Sequence, residues 1–189
     1  MSEAGRLQLI RGRQLVADDW SVVALSGGVY PGTGISSSAP SDVDSKFLLL
    51  PLPIWVEQRN QLLAERAASG LRLGVWLGPT NDPAVLANDL AMLDLIAIEF
   101  PKFVDGRGYS TATLLRQRYG YRGELRAIGD VGRDQIFYLA RVGFDSFLIS
   151  DGRDAAAALA SLSDFPEVYQ TACDQSVPLF RRREIQAAA

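Results

Sequence analysis

Between Leu95 and Ser150 the chain reads LIAIEFPKFVDGRGYSTATLLRQRYGYRGELRAIGDVGRDQIFYLARVGFDSFLIS. Three short apolar runs, Ile96 to Ile98, Leu125 to Ile128 and Phe147 to Ile149, alternate with two segments of helical periodicity. Each run gives way to a charged turn containing glycine. Strand-length apolar runs alternating with helices form β-α-β units on a parallel sheet. That order places the charged turns at the carboxyl ends of the strands, where α/β sheets take ligands.

Toward the amino terminus, Phe47 to Leu50 and Leu73 to Leu77 read as two more strands. Pro53 suits the first turn of a helix that runs to about Ala68 and ends at Gly70, with Trp55, Leu62 and Leu63 on its apolar face. Asn81 or Asp82 can cap a helix from Pro83 to about Leu93. Strand starts at Phe47, Leu73, Leu95, Glu124 and Phe147 are spaced by about 22 to 29 residues. The expected fold is therefore α/β, with about five parallel β-α units in an open sheet or an incomplete β/α barrel. A complete eight-stranded barrel takes about 250 residues, and this chain has 189.

Leu7 to Ile10 and Trp20 to Leu25 flank the polar turn Arg11-Gly12-Arg13 and are expected to pair as an N-terminal β-hairpin at the sheet edge, with Trp20 covering the core. Residues 26–45 are rich in glycine, serine and proline, lack a P-loop lysine and the dinucleotide spacing, and read as a flexible loop. Ala155 to Leu162 continues as a helix capped by Asp151 or Asp154. The triplet Arg181-Arg182-Arg183 opens an expected flexible tail, 181–189, and the whole of 1–189 reads as one domain.

Composition narrows the chemistry. The chain has no histidine, which excludes Ser-His-Asp and Cys-His catalysis and removes the commonest metal ligand. Cys173 is the only cysteine, so neither an internal disulfide nor a four-cysteine iron–sulfur site can form. No metal site is expected. A net charge of −3 gives no global drive toward nucleic acid or membrane. No basic segment followed by a long apolar run opens the chain, and a cytoplasmic location is expected.

Against that total, the interval from Lys102 to Arg141 carries a balance of +4. The candidate anion or ligand-binding residues are Glu99, Lys102, Asp105, Arg107, Tyr109, Asp130 and Arg133. Arg107, between Gly106 and Gly108, can fork onto a carboxylate, phosphate or sulfur oxyanion, or pair with Asp105 or Glu99 instead. Ser110 is a plausible cap for the helix that follows, and Asp130 can accept the free N–H groups of the next helix start. Arg133, in that helix's first turn, would reach toward Arg107, so that Lys102, Arg107 and Arg133 border one recess. Glu99 or Asp130 would serve as a base if burial raised its pKa, and Tyr109 could give a proton to an oxyanion. Lys102 would form an imine only if desolvated. Spacing assigns none of these catalytic roles.

The words Phe100-Pro101-Lys102-Phe103, Asp105-Gly106-Arg107-Gly108-Tyr109-Ser110, Leu114-Leu115-Arg116, Gly123-Glu124-Leu125-Arg126-Ala127, Gly129-Asp130-Val131, Arg133-Asp134-Gln135 and Gly143-Phe144-Asp145 occur in that order. Together they resemble the DUF934 family, and the similarity extends from Asp19-Trp20 to Val168-Tyr169-Gln170. Family members often carry leucine where Gly132 stands and cysteine where Val142 stands, which speaks against a shared redox thiol. The resemblance implies an oxidoreductase label and a role beside assimilatory sulfate or sulfite reduction, with sulfite reductase or another sulfur-assimilation enzyme as partner. It transfers no catalytic residue. Beside a structural assembly factor for siroheme or iron–sulfur enzyme maturation, two functions stay open. One is an accessory or regulatory protein that binds an anionic metabolite or the reductase. The other is a small enzyme, either flavin-dependent or acting on a sulfur-containing anion. No cofactor is predicted, and non-covalent flavin is the alternative.

Overall fold

The computed structural model describes residues 8–23, 46–150 and 152–187. An eight-stranded sheet runs in the order β2-β1-β8-β7-β6-β5-β4-β3. The strands are β1 (Gln8–Arg11), β2 (Gln14–Val16), β3 (Ser21–Val22), β4 (Phe47–Pro51), β5 (Arg72–Leu77), β6 (Leu95–Phe100), β7 (Glu124–Gly129) and β8 (Ser146–Ile149). From β3 to β8 neighbours are parallel, and β1 runs antiparallel to both β8 and β2. The helices are α1 (Leu52–Ser69), α2 (Arg107–Thr113), α3 (Arg133–Arg141), α4 (Ala155–Ser161) and α5 (Leu179–Ala187).

The expected hairpin exists, but with a different second strand. Ile10 pairs with Leu15 across a turn at Gly12, while Ser21–Val22 lies at the far edge of the sheet beside Leu48 and Leu49. That connection dictates the shape. A flat sheet of eight strands would part its edges by about 34 Å, at roughly 4.8 Å per strand spacing. The few residues from Val16 to Ser21 reach at most about 18 Å. The sheet must therefore curl until its two edges approach, and it forms an open half-barrel.

Curling sorts the side chains. The convex face packs its strand residues, among them Leu73, Val75, Leu77, Ile96 and Ile98, in one core with helix residues such as Trp55, Leu115, Ile136 and Leu139. The concave face fills with Leu9, Leu49, Leu95, Ala97, Ile128 and Leu148, against which Trp20 and Trp76 pack. Small residues make that closeness feasible. A Cβ on Gly74 would stand 2.9 Å from the Trp20 ring and 3.1 Å from Leu95 Cβ.

α1 ends as expected on Gly70, whose φ of 73° lets its N–H reach the Arg66 carbonyl. The segment expected as one helix from Pro83 to Leu93 is instead two short 3₁₀ turns, Pro83–Leu86 and Leu90–Met92. Asp82 does cap the first, accepting the Ala84 N–H at 2.9 Å. Between the turns Asp89 is buried, taking the Trp55 indole N–H at 3.2 Å and an ion pair from Arg59. That tertiary demand outweighs helical continuation. α2 begins at Arg107 rather than after Ser110, with the Asp105 carboxylate accepting the Arg107 N–H at 3.2 Å. Gly108 fits there because a Cβ would stand 2.5 Å from the Phe100 ring.

Within a π turn at Leu114–Arg118, Arg116 locks the amino-terminal edge of the strands. It donates to the carbonyls of Gly143, Tyr121 and Gly123 at 2.8, 2.8 and 2.9 Å, and pairs with Asp145. The arginine triplet lies within α5, where Arg182 donates to the Val168 carbonyl at 3.0 Å. The expected loop 26–45 falls outside the described residues.

Candidate functional site

Four loops meet at the carboxyl edge, following β5, β6, β7 and β8. The β7 loop is held close to β6 by Gly129, whose φ is +94° and whose Cβ would stand 2.4 Å from the Phe100 carbonyl oxygen. The Asp130 N–H donates to that same oxygen at 2.6 Å. From this point Asp130 turns its carboxylate to both neighbouring loops. One oxygen accepts the Phe103 N–H at 2.9 Å, and the other pairs with Arg153.

Asp130 is thus not the cap of α3, contrary to expectation. Gly132 holds the cap position, and its N–H donates to Gln135 Oε1 at 2.9 Å. Gln135 Nε2 in turn donates to the Phe103 carbonyl at 3.2 Å. Both backbone groups of Phe103 are therefore pinned to the β7–α3 corner, while the residue as a whole remains 53% exposed. Gly132 also leaves room for Arg153, since a Cβ there would meet Arg153 Nη1 at 2.8 Å.

A cavity of about 290 Å³ opens here, lined among others by Phe103, Gly132, Arg133, Asp134, Arg153 and Asp154. Arg133 makes no ion pair among the described residues. The first-turn N–H groups of α3 border the same space, and the N-terminal end of a helix favours negative charge.

The remaining predicted residues stand apart from this cavity. Arg107 forks onto Asp105, with Nε to Oδ1 at 2.9 Å and Nη2 to Oδ2 at 2.6 Å. That grip, led by the guanidinium, holds the Asp105 carboxyl down to about 2. Of the two readings of Arg107, the structure shows the pair with Asp105. Lys102 is exposed, and neither it nor Arg107 lines the cavity at Arg133, so the single recess expected of all three is not what forms around Arg133. Glu99 lies on the concave face, half-buried, its carboxyl pushed up by burial and by the charge of Asp105. Gly78, just past the end of β5, lies beside it, and the Gly78 N–H donates to Asn81 Oδ1 at 2.8 Å. Tyr109, in α2, turns toward α3, its ring 5.3 Å from that of Phe100 and 5.4 Å from that of Tyr138. Burial raises its hydroxyl pKa, and a hydrogen bond with Gln135 opposes that shift.

Arg153 joins the site although the sequence offered only a weak signal, the repeated pattern of an acid followed by arginine after a strand. A second charged cluster lies away from this edge, around one basic residue of the +4 interval. Arg126 is 0% exposed on the concave face. Its Nη1 donates to both Asp18 oxygens at 2.9 Å and its Nη2 to Glu124 Oε1 at 2.9 Å. Ser146 Oγ adds a 2.6 Å bond to the same Glu124 oxygen, and Arg11 lies 3.1 Å from the other. The alternation Glu124-Leu125-Arg126-Ala127 was the available clue, since period-two spacing sends both charges to one face.

An α/β half-barrel with an interlocked, arginine-bearing carboxyl edge is the class that this fold and edge define. Residues 74–180 match the family model described as bacterial protein of unknown function, DUF934, and the chain belongs to that family. No curated protein matches the chain. Among the described residues no helix is long and apolar enough to cross a membrane.

Proposed function

We propose that this protein is an accessory or regulatory protein of assimilatory sulfate or sulfite reduction, which binds an anionic metabolite or the reductase at the carboxyl edge of its sheet. The observation that carries the binding half is the cavity of about 290 Å³ where Arg133 and Arg153 meet the start of α3. Its lining can supply guanidinium and backbone N–H donors to an oxyanion. The exposed Phe103 beside it would let a protein surface add apolar contact. The sulfur-assimilation half is implied by the family resemblance alone.

Calorimetry with sulfite, sulfate, phosphate and adenylated sulfate tests the site, with affinity purification against sulfite reductase for the protein partner. Arg133→Ala should weaken oxyanion binding by roughly tenfold or more, the value of one charge-assisted contact. Arg107→Ala should weaken it less, because Arg107 is committed to Asp105. Unchanged affinity in folded Arg133→Ala and Arg153→Ala would remove the assignment. A second reading, an enzyme acting on a sulfur-containing anion, is favoured by Glu99, whose raised carboxyl would suit proton transfer. Its flavin-dependent form requires flavin absorbance in the purified protein, and turnover that Glu99→Gln abolishes.

A further inference from the structure

We propose a second ligand site at the opposite, amino-terminal edge of the sheet: a cleft of about 490 Å³ that binds a small organic anion with a flat apolar body. The volume falls in the range of about 300–1,000 Å³ typical of small-molecule sites. Three parts of the chain build it: the β1–β2 turn, the α3–β8 region and the segment that leads from α4 into α5.

Its apolar wall is aromatic. Phe137, Phe144 and Phe147 line it, and Phe165 stands at the lip, 61% exposed, with its ring 5.0 Å from that of Phe137. An exposed ring tilted over a more buried one is open to a flat partner. Three arginines from separate segments complete the lining, each oriented by a bond of its own. Arg13 donates to Ser163 Oγ at 2.7 Å, Arg141 donates to the Gln170 carbonyl, and Arg182 donates to the Val168 carbonyl at 3.0 Å.

Charge points to an anion. The carboxylates in the lining are Asp145 and Asp174. Asp145 is engaged by Arg116, and Asp174 lies 3.9 Å from Arg141, a loose pair. Glu167 pairs with Arg182 at 3.0 Å from a largely exposed position. Even so, the Arg182 Nε–H is buried and has no acceptor among the described residues. The guanidinium nevertheless lines the cleft, where an anion seated against it would gain a charge-assisted contact. The aromatic wall selects an organic body over a bare inorganic ion, which would leave those rings in water.

The test is calorimetric titration of the full chain with 2-naphthalenesulfonate, beside inorganic sulfate and neutral 2-naphthol. Saturable naphthalenesulfonate binding is expected, at least tenfold tighter than either comparison compound. Arg13→Gln and Arg182→Gln should each weaken it roughly tenfold, and Phe165→Ala should weaken it too. Arg133→Ala, at the other edge, should leave it unchanged, which separates this site from the one proposed above. Circular dichroism confirms that each variant is folded, and the exposed Arg13 provides a change with little structural role should Arg182→Gln misfold. Absence of saturable binding, sulfate binding as tight as naphthalenesulfonate, or wild-type affinity in both folded arginine variants would overturn the proposal.

Discussion

Replacing Arg126 with methionine tests the central strut of the half-barrel. The substitution keeps most of the volume and removes a guanidinium that is 0% exposed. Asp18 then loses two hydrogen bonds of 2.9 Å and Glu124 loses bonds of 2.9 and 3.2 Å. Removing one member of a buried ion pair costs about 3–5 kcal/mol, because the other charge stays desolvated. Here the lower end applies, since the Asp18 and Glu124 side chains retain 21% and 18% exposure and Glu124 keeps Arg11 and Ser146. About 3 kcal/mol in a chain of this size lowers the melting temperature by roughly 6–12 °C. Urea and thermal denaturation followed by circular dichroism read the loss. Asp18→Ala in both backgrounds isolates the pair, and a coupling of about 1–3 kcal/mol is expected. Asp18 lies in the segment that joins the two sheet edges, so hydrogen exchange at Ser21 and Val22 should quicken in Arg126→Met. Stability within about 0.5 kcal/mol of the parent, the scatter of an ordinary surface substitution, would refute the strut.

Two further outcomes follow from the same geometry. Gly129→Ala should cost about 3 kcal/mol or more, combining a positive φ with a Cβ that meets backbone rather than a movable side chain; Gly106→Ala, with φ −85° and open space around it, should be near neutral in the same urea titration. At Asp94, burial pushes the carboxyl up, but hydrogen bonds from Arg66, the Leu73 N–H and Arg72 outweigh it and hold the pKa below its ordinary value. A depressed folded-state pKa gives stability that is present above the unfolded value, about 3.9, and is lost as pH falls through the folded value. Asp94→Asn should therefore be less stable than the parent at pH 6 and should lose less stability on acidification below pH 4, as measured by denaturation across that window.

The strand and helix order was legible because each apolar run is bounded by glycine, proline or a capping acid, signals that act over a few residues. What escaped is what depends on distant partners. Asp130 looks like a helix cap until Arg153, 23 residues later, and Phe103, 27 residues earlier, are brought beside it. Asp89 sits in a segment with helical spacing, yet Trp55 and Arg59 draw it inward and leave only 3₁₀ turns. The partner of β3 was unreadable for the same reason, since nothing in Ser21-Val22 distinguishes pairing with β1 from pairing with β4. The sharp curl follows only once β2 and β3 are known to occupy opposite edges.

Sorting the family's sequence words by the work they do in this fold narrows the functional question. Arg116, Gly123, Gly143 and Asp145 clamp the amino-terminal edge. Glu124 and Arg126 tie the concave face to Asp18. Gly129, Asp130 and Gln135 lock the β6 loop onto the start of α3, and Asp105 occupies Arg107. Each has a structural partner sufficient to explain its residue type. Of the four basic residues that follow the strands, Arg107 and Arg153 are paired within the chain, whereas Lys102 and Arg133 form no ion pair among the described residues. A positive side chain held at a rigid strand end without an internal counter-charge is available to an external one. Arg133, on the cavity, is therefore the residue whose substitution should separate binding from folding most cleanly.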